Sequence, residues 1–296
     1  MSSEAFKFRS KMRSVTDGAV TGLAILATLI VVAPLVAIFV YLLYKGTSSL
    51  NLEFFTKVPK PVGESGGGMA NAIVGSGILL GIASVIGIPI GIGAGIFLAE
   101  FGRGTKLANA VRFTADVLNG VPSIVMGLAA YAIIVSPKIS YLPFTGHFSA
   151  FSGGVALGFM MIPTVCRTSE EMLLMVPHAI REAALGLGVP NWRSVLSITA
   201  KTASPGIITG CMLAFARVAG ETAPLIFTAL GNSFWSTSLN QPIAALPLQI
   251  YVYALSPYDD WHRLAWAGSL VLIVLIVLAV SLVRFVTSRG VLKGAS

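Results

Sequence analysis

The sequence predicts an all-α, polytopic membrane protein with six transmembrane helices, and three observations carry that reading. Of its 296 residues, 55% are hydrophobic and only 11% charged, where an ordinary soluble domain carries about 25% charge. The apolar residues gather in charge-poor runs long enough to cross a hydrocarbon core of roughly 30 Å, which takes about 20 helical residues. Lysine and arginine between those runs fall mostly on one side of the resulting topology, because both resist translocation. The 31 glycines and 15 prolines follow no triplet period, and the apolar content is far too high for a disordered chain. Cys166 and Cys211 lie beside or within apolar runs and lack the spacing of a disulfide scaffold or a zinc site. The net charge of +8 is accounted for by basic loops at a membrane face, so no nucleic-acid partner is expected.

The first span covers 20–43, the second 72–99, the third 117–135, the fourth 151–165, the fifth 207–230 and the sixth 264–283. Lys7, Arg9, Lys11 and Arg13 ahead of the first run give it the outline of a signal peptide. The run is too long for one and no small-residue cleavage site precedes Lys45, so it is expected to remain as a span. The fourth span is expected to continue in helical form through Arg167 to Met175, its polar end among the headgroups. With the N-terminus inside, the four leading basics, Arg103, Lys106, Arg112, Arg167, Arg181, Arg193, Lys201, Arg284, Arg289 and Lys293 face the cytoplasm. Lys45, Lys57, Lys60, Lys138 and Arg263 face the other side, and Arg217 lies within a span. That asymmetry places both termini in the cytoplasm. Trp261 and Trp266 stand where an aromatic belt anchors the sixth span.

In lipid, helices associate through close backbone approach, and the second span offers Gly77 and Gly81, then Gly87, Gly91 and Gly95, at four-residue steps. Gly91-x-Gly93-x-Gly95 lacks the preceding strand and the third spacing of a dinucleotide fingerprint. No phosphate-loop, H-E-x-x-H or G-x-S-x-G pattern occurs, so an ATP-driven process has to use the nucleotide site of another chain. His178 and His262 each stand apart from a second ligand type, so no metal site is expected. Glu100 and Asp116, near span ends, read as solvated or interfacial.

The stretch 167–203 between the fourth and fifth spans reads as helical. Pro177 suits the first turn of a helix, Gly188 and Pro190 end it, and Asn191 caps a second helix over 192–201. Ala183, Ala184 and Leu187 give the first helix a small apolar face, and Arg181 and Glu182 flank it with charge for a docking partner. The alternative is an amphipathic helix resting on headgroups.

Glu182-Ala183-Ala184, Gly188 and Ile198 resemble in spacing the EAA loop of ABC importer permeases, the segment that inserts into a groove of the ATPase subunit. Ala200 and Lys201 stand where that motif usually has Leu-Pro. Gly66-Gly-Gly-Met-Ala-Asn-Ala, Ala94-Gly-Ile-Phe-Leu-Ala-Glu-Phe-Gly, Pro122-Ser-Ile-Val-Met-Gly-Leu and Ala216-Arg-Val-Ala-Gly-Glu-Thr-Ala-Pro-Leu are similar to strings of the PstA family of phosphate importer permeases. The resemblance implies a type I ABC importer permease fold, with a permease core over 67–286 and a coupling loop over 166–205. Residues 1–66 then hold the N-terminal segment, first span and outer loop, and 287–296 the cytoplasmic C-terminus. It further implies a non-enzymatic subunit forming half of the pore of an ATP-driven phosphate importer in a bacterial inner membrane. Its partners would be a second permease (PstC-like), an ATPase dimer (PstB-like) that holds the ATP and Mg, and a substrate-binding protein (PstS-like), with no cofactor on this chain. Arg181, Glu182, Ala183, Ala184 and Gly188 would couple to the ATPase. A permease for sulfate, molybdate or phosphonate remains an alternative, as does an ion-coupled secondary transporter.

Arg217 lies near the middle of the fifth span, where an arginine costs at least about 2.5–3.5 kcal/mol without a partner. Glu221 follows at i+4, one turn later on the same helical face, so the two are expected to pair. Read structurally, the pair fixes helix packing. Read functionally, the guanidinium fork meets phosphate oxygens through two parallel hydrogen bonds, helped by Thr222. Glu221 keeps the anion from binding too tightly to leave. Gly220 and Pro224 are expected to kink or unwind the helix there. Arg167, close to Thr168, Glu170 and Glu171, reads as a second anion station at the inner mouth or as a headgroup-facing arginine. The segment 234–257, broken by Pro242 and Pro247, is expected to form a short re-entrant or surface helix.

Overall fold

Within hydrocarbon every backbone N–H and C=O has to be satisfied inside the protein, and a helix does this within one segment. The computed structural model describes residues 3–64, 66–136 and 145–293, and most of them are helical. Lys138 and the side chains of Lys7, Arg9, Lys11, Arg289 and Lys293, all counted for topology, lie outside the described residues. Helix α1 (Ser3–Thr47) leads to a short α2 (Leu52–Thr56), capped by the Asn51 side chain, and then to α3 (Ala70–Ile96), which ends in a π turn at Phe97–Phe101. Helices α4 (Lys106–Gly120) and α5 (Ser123–Ala130) meet at a sharp bend, and α6 (Ala150–Leu174) follows. Two short helices, α7 (His178–Gly186) and α8 (Asn191–Ser194), lead through a π turn at Val195–Thr199 into α9 (Ala200–Ala219). After a break come α10 (Ala223–Thr228), α11 (Leu246–Ala254) and α12 (Asp259–Lys293).

Five helices are long and apolar enough to cross a membrane singly: those containing α1, α3, α6, α9 and α12. The sixth crossing follows from register. Gly87 meets Met161, Gly91 meets Val165 and Gly95 meets Ser169, so α3 and α6 run side by side in parallel, and the chain between them has to return through the full thickness. It climbs α6 as it goes: Arg112 bonds Glu170, Arg167 bonds Asp116 and Thr164 bonds Asn119, and Ala130 and Ile134 then pack with Ala156. The third span is therefore not the single helix 117–135. It is α4 plus α5 and the π turn at Tyr131–Val135, bent by 110°. Pro122 lacks an N–H and pushes Val121 into extended geometry, which ends α4.

The fourth span continues to Leu174, through Arg167 as expected. The fifth differs at both ends from 207–230. The separate helix expected over 192–201 joins it through the π turn, giving one run from Asn191 to Ala219, and the helix stops at Gly220. With six crossings the start of α1 and the end of α12 lie at the same end as α7.

Close packing rests on one stripe of α3. Gly75, Leu79, Ala83, Gly87, Gly91 and Gly95, each four residues on, are buried. A Cβ at Gly91 would stand 2.6 Å from Val165 Cβ, and one at Gly95 2.6 Å from Ser169 Cβ. Gly77 and Gly81, expected in the same role, have no atom within 4 Å, because they fall two residues off the stripe and are exposed. At the end opposite α7, α11 buries Leu246, Pro247, Leu248 and Tyr253, and Tyr253 stacks on Trp261 at 4.5 Å. The expected short helix in 234–257 is thus present, with one face packed on protein and Tyr251 and Val252 exposed.

Candidate functional site

Helix α9 buries Ala203, Ile207, Gly210, Cys211, Ala214 and Val218, the three-and-four spacing of one helix face. Thr209, Leu213 and Arg217, four residues apart, lie on the exposed face. Gly206 packs on Met172 and Gly210 on Thr168, so each turn up α9 is a turn back along α6. Continuing that register brings Arg217 level with Met161, at the middle of α6. The expected depth is therefore found.

The expected ion pair is not. The helix ends at Ala219 with Gly220 as its cap, and Glu221 stands in the break before α10. The i+4 relation no longer puts the two side chains on one face, and among the described residues Arg217 has no ion pair or side-chain hydrogen bond. Glu221 and Thr222 are half-buried and their side chains make none either. Gly220 and Pro224 act as expected, as a break rather than a bend: Gly220 caps α9 and Pro224 sits in the first turn of α10, where its missing N–H costs nothing. Arg217 occupies the last turn of α9, where a cation meets the negative end of the helix dipole. Beside the break, Ser76, Leu79, Leu157, Val218, Ala219 and Leu225 enclose only about 10 Å³, on the order of one water molecule.

Arg167 is not a free station. Its Nε lies 2.9 Å from Asp116 and its Nη1 donates to Glu170 at 2.7 Å, while Arg112 Nε donates to the other Glu170 oxygen at 2.6 Å. Arg112 also donates to Leu98 O and Asn109 Oδ1. Two positive and two negative groups balance across the α4–α6 contact, and the carboxylate between the arginines is buried. Glu170 stood near Arg167 in the sequence, but its second partner, Arg112, lies 58 residues away.

At the far end of α6, α7 is a separate helix, closed by Gly188 in the left-handed region (φ +76°) as expected. Its side chains divide differently from the expected faces. Glu182, Ala183 and Leu187 are exposed and Ala184 is buried. Arg181 is no outward flank: it turns inward onto Glu100, with both groups largely sheltered from solvent. Glu100, read from the sequence as interfacial, is thus an internal partner 81 residues away. His262 accepts a structural role, its Nε2 2.6 Å from Ser256 O, and no group of metal-binding side chains occurs among the described residues.

Six crossings, a mid-depth arginine on an uncovered helix face and an exposed helix at one end define a membrane subunit built to work beside other chains. The profile of the binding-protein-dependent transport system inner membrane component family matches residues 87–290. The phosphate transport system permease protein PstA of Yersinia pestis is 48% identical over 245 residues, 83% of this chain and 81% of that one. The protein of that name from Haemophilus influenzae is 44% identical over 88% of this chain and 89% of its own, and PstA 1 of Mycobacterium tuberculosis 38% identical over 75% and 72%. A chain of the MetNI methionine ABC transporter, in an inward-facing conformation, shares the fold at a TM-score of 0.55 and 19% identity, over 76% of this chain and 96% of that one. The chain belongs to this family of inner membrane transport components, within its PstA permeases. It is accordingly a multi-pass inner membrane permease subunit, not an enzyme.

Proposed function

We propose that this chain forms half of the translocation pore of an ATP-driven inorganic phosphate importer. The names of its relatives supply the ion. One observation carries the pore: Arg217 stands at mid-depth on a helix face that the other described residues leave exposed. A guanidinium turned to lipid there costs at least about 2.5–3.5 kcal/mol, so this face belongs against another chain or a water-filled passage. A pore shared with a second, PstC-like permease provides both. Arg217 then binds passing phosphate through its fork of donors, Thr222 adds a hydroxyl, and Glu221 limits the hold so that the ion moves on.

A PstB-like ATPase dimer, carrying the ATP and Mg, docks on α7 through Glu182, Ala183 and Leu187, and a PstS-like binding protein delivers phosphate at the opposite end. Arg13, Arg103, Lys106, Arg112, Arg167, Arg181, Arg193, Lys201 and Arg284 lie toward the α7 end, against Lys45, Lys57, Lys60 and Arg263 at the other. That balance favours a cytoplasmic α7 end and cytoplasmic termini.

The test is phosphate uptake by the assembled transporter in proteoliposomes loaded with ATP. Arg217→Gln is expected to reduce uptake roughly ten- to a hundredfold, the loss of a charge-assisted bond of about 1.5–3 kcal/mol. Arg217→Lys, which keeps charge but not the fork, should be impaired less. Near-normal uptake by Arg217→Gln defeats the assignment.

A further inference from the structure

Helix α7 is bounded by two chain breaks. Pro177 precedes it, with φ −57° and ψ 139°, and Gly188 (φ +76°) and Pro190 follow it. A nine-residue helix between such breaks, joined to the membrane helices by its covalent links alone, would turn without moving them. Packing of the buried Ala184 side holds α7 to the chain that leads into α9, and one side chain ties it to the inner ends of α3 and α6. Arg181 Nε and Nη2 both donate to Glu100 Oε1, at 3.1 and 2.7 Å, Nη2 also donates to Leu173 O at 2.7 Å, and Nη1 donates to Val176 O at 2.6 Å. Leu173 belongs to the last turn of α6 and Val176 lies two residues past its end, where the helix dipole favours a cation. Glu100 belongs to the π turn that closes α3. The side chains of Arg181 and Glu100 are 11% and 8% exposed, so the pair is sheltered from the solvent screening that weakens surface ion pairs.

We infer that the Arg181–Glu100 pair is the link through which movement of α7 reaches α3 and α6. Arg181 is then a positioning residue rather than a contact for the ATPase, which meets the opposite side of α7 at Glu182, Ala183 and Leu187. Glycine-mediated contact along α3 and α6 makes those two helices one body, so a clamp on both inner ends passes a push on α7 to the pair together. This inference rests on the coupling role proposed above for α7.

The experiment measures phosphate uptake and ATP hydrolysis on the same proteoliposomes, for the unaltered transporter, Arg181→Gln, Arg181→Lys and Glu100→Gln. Glu100→Gln is close in shape and leaves the two carbonyl bonds of Arg181 in place, so it tests the pair even where Arg181→Gln fails to assemble. The expected result is that hydrolysis persists while phosphate moved per ATP falls about tenfold, the scale of a coupling between two sites. Arg181→Lys, retaining charge and part of the bonding, should fall between. An unchanged ratio, a proportional fall of uptake and hydrolysis, or loss of assembled transporter in both Gln variants assigns the pair to folding alone and overturns the inference. Absence of ATP-dependent uptake by the unaltered transporter instead overturns the proposed function, a distinguishable failure.

Discussion

Replacing Glu170 by alanine probes the charge cluster between α4 and α6 most sharply. The carboxylate is 3% exposed and takes a bond of 2.6 Å from Arg112 and one of 2.7 Å from Arg167. With Asp116 on Arg167 at 2.9 Å, the cluster is neutral, and the substitution leaves one positive charge in excess. Removing one side of a buried ion pair costs about 3–5 kcal/mol, because the other charge stays behind without its partner. Here the stranded guanidiniums are 28% and 29% exposed and Arg167 keeps Asp116. The loss therefore belongs at the lower end, about 3 kcal/mol, or roughly two powers of ten in the ratio of folded to unfolded protein. Asp116→Ala is the control: that carboxylate is 56% exposed, and a pair so screened is worth about 0–1 kcal/mol. The chain carries its own reporter, since its two cysteines, Cys166 and Cys211, are both free and buried. A thiol-reactive fluorogenic dye followed on heating the detergent-purified chain reads their exposure. A Glu170→Ala melt coinciding with that of Asp116→Ala refutes the reasoning. Arg112→Ala combined with Glu170→Ala should cost less than the sum of the two, because the second change removes the stranded charge.

Two further outcomes follow from packing and exposure. Gly91→Ala places a methyl 2.6 Å from Val165 Cβ and should destabilise by about 1–3 kcal/mol, whereas Gly93→Ala, with no atom within 4 Å, should be neutral or stabilise by up to about 1 kcal/mol; the same dye melt separates them, and equal shifts contradict the α3–α6 contact. Leu187→Arg, at a residue 85% exposed, should leave the melt unchanged yet prevent co-purification of the ATPase subunit, and unimpaired co-purification removes Leu187 from the docking face.

What was legible in the sequence is what local chemistry decides. Hydrophobic runs marked the crossings, Gly188 marked a turn that its positive φ requires, and Gly220 with Pro224 marked the break in the fifth span. Most of the errors share one cause, a local rule overridden by a partner distant in sequence. Four-residue spacing named five glycines of the second span as packing sites, but only a buried stripe can pack, and Gly77 and Gly81 lie off it. Arg167 and Arg181 looked available because their acceptors, Asp116 and Glu100, are brought to them only by the parallel run of α3 and α6 and by α4 climbing α6. The Arg217–Glu221 pair failed from within: the helix break predicted from Gly220 is incompatible with an i+4 bond across it, so one correct local reading excluded the other.

That incompatibility bears on how the chain can conduct an ion. Had α9 run on through Glu221, the arginine would have been paired inside its own helix, and an anion would have had to displace the carboxylate to reach it. The break keeps them apart, and it lies where another break meets it. Gly127 of α5, beyond the bend at Pro122, comes so close to α10 that a Cβ there would stand 2.7 Å from Pro224 Cα. Two interrupted crossings thus touch just past their interruptions. Broken backbone at membrane depth persists only where protein covers it or water reaches it. On the face of α9 that carries Arg217 the described residues supply no cover. The exposed charge and the interrupted helices therefore place the same requirement on the assembly, protein or water against them at membrane depth, and a surface of Arg217 sealed against lipid in the assembled transporter would be inconsistent with it.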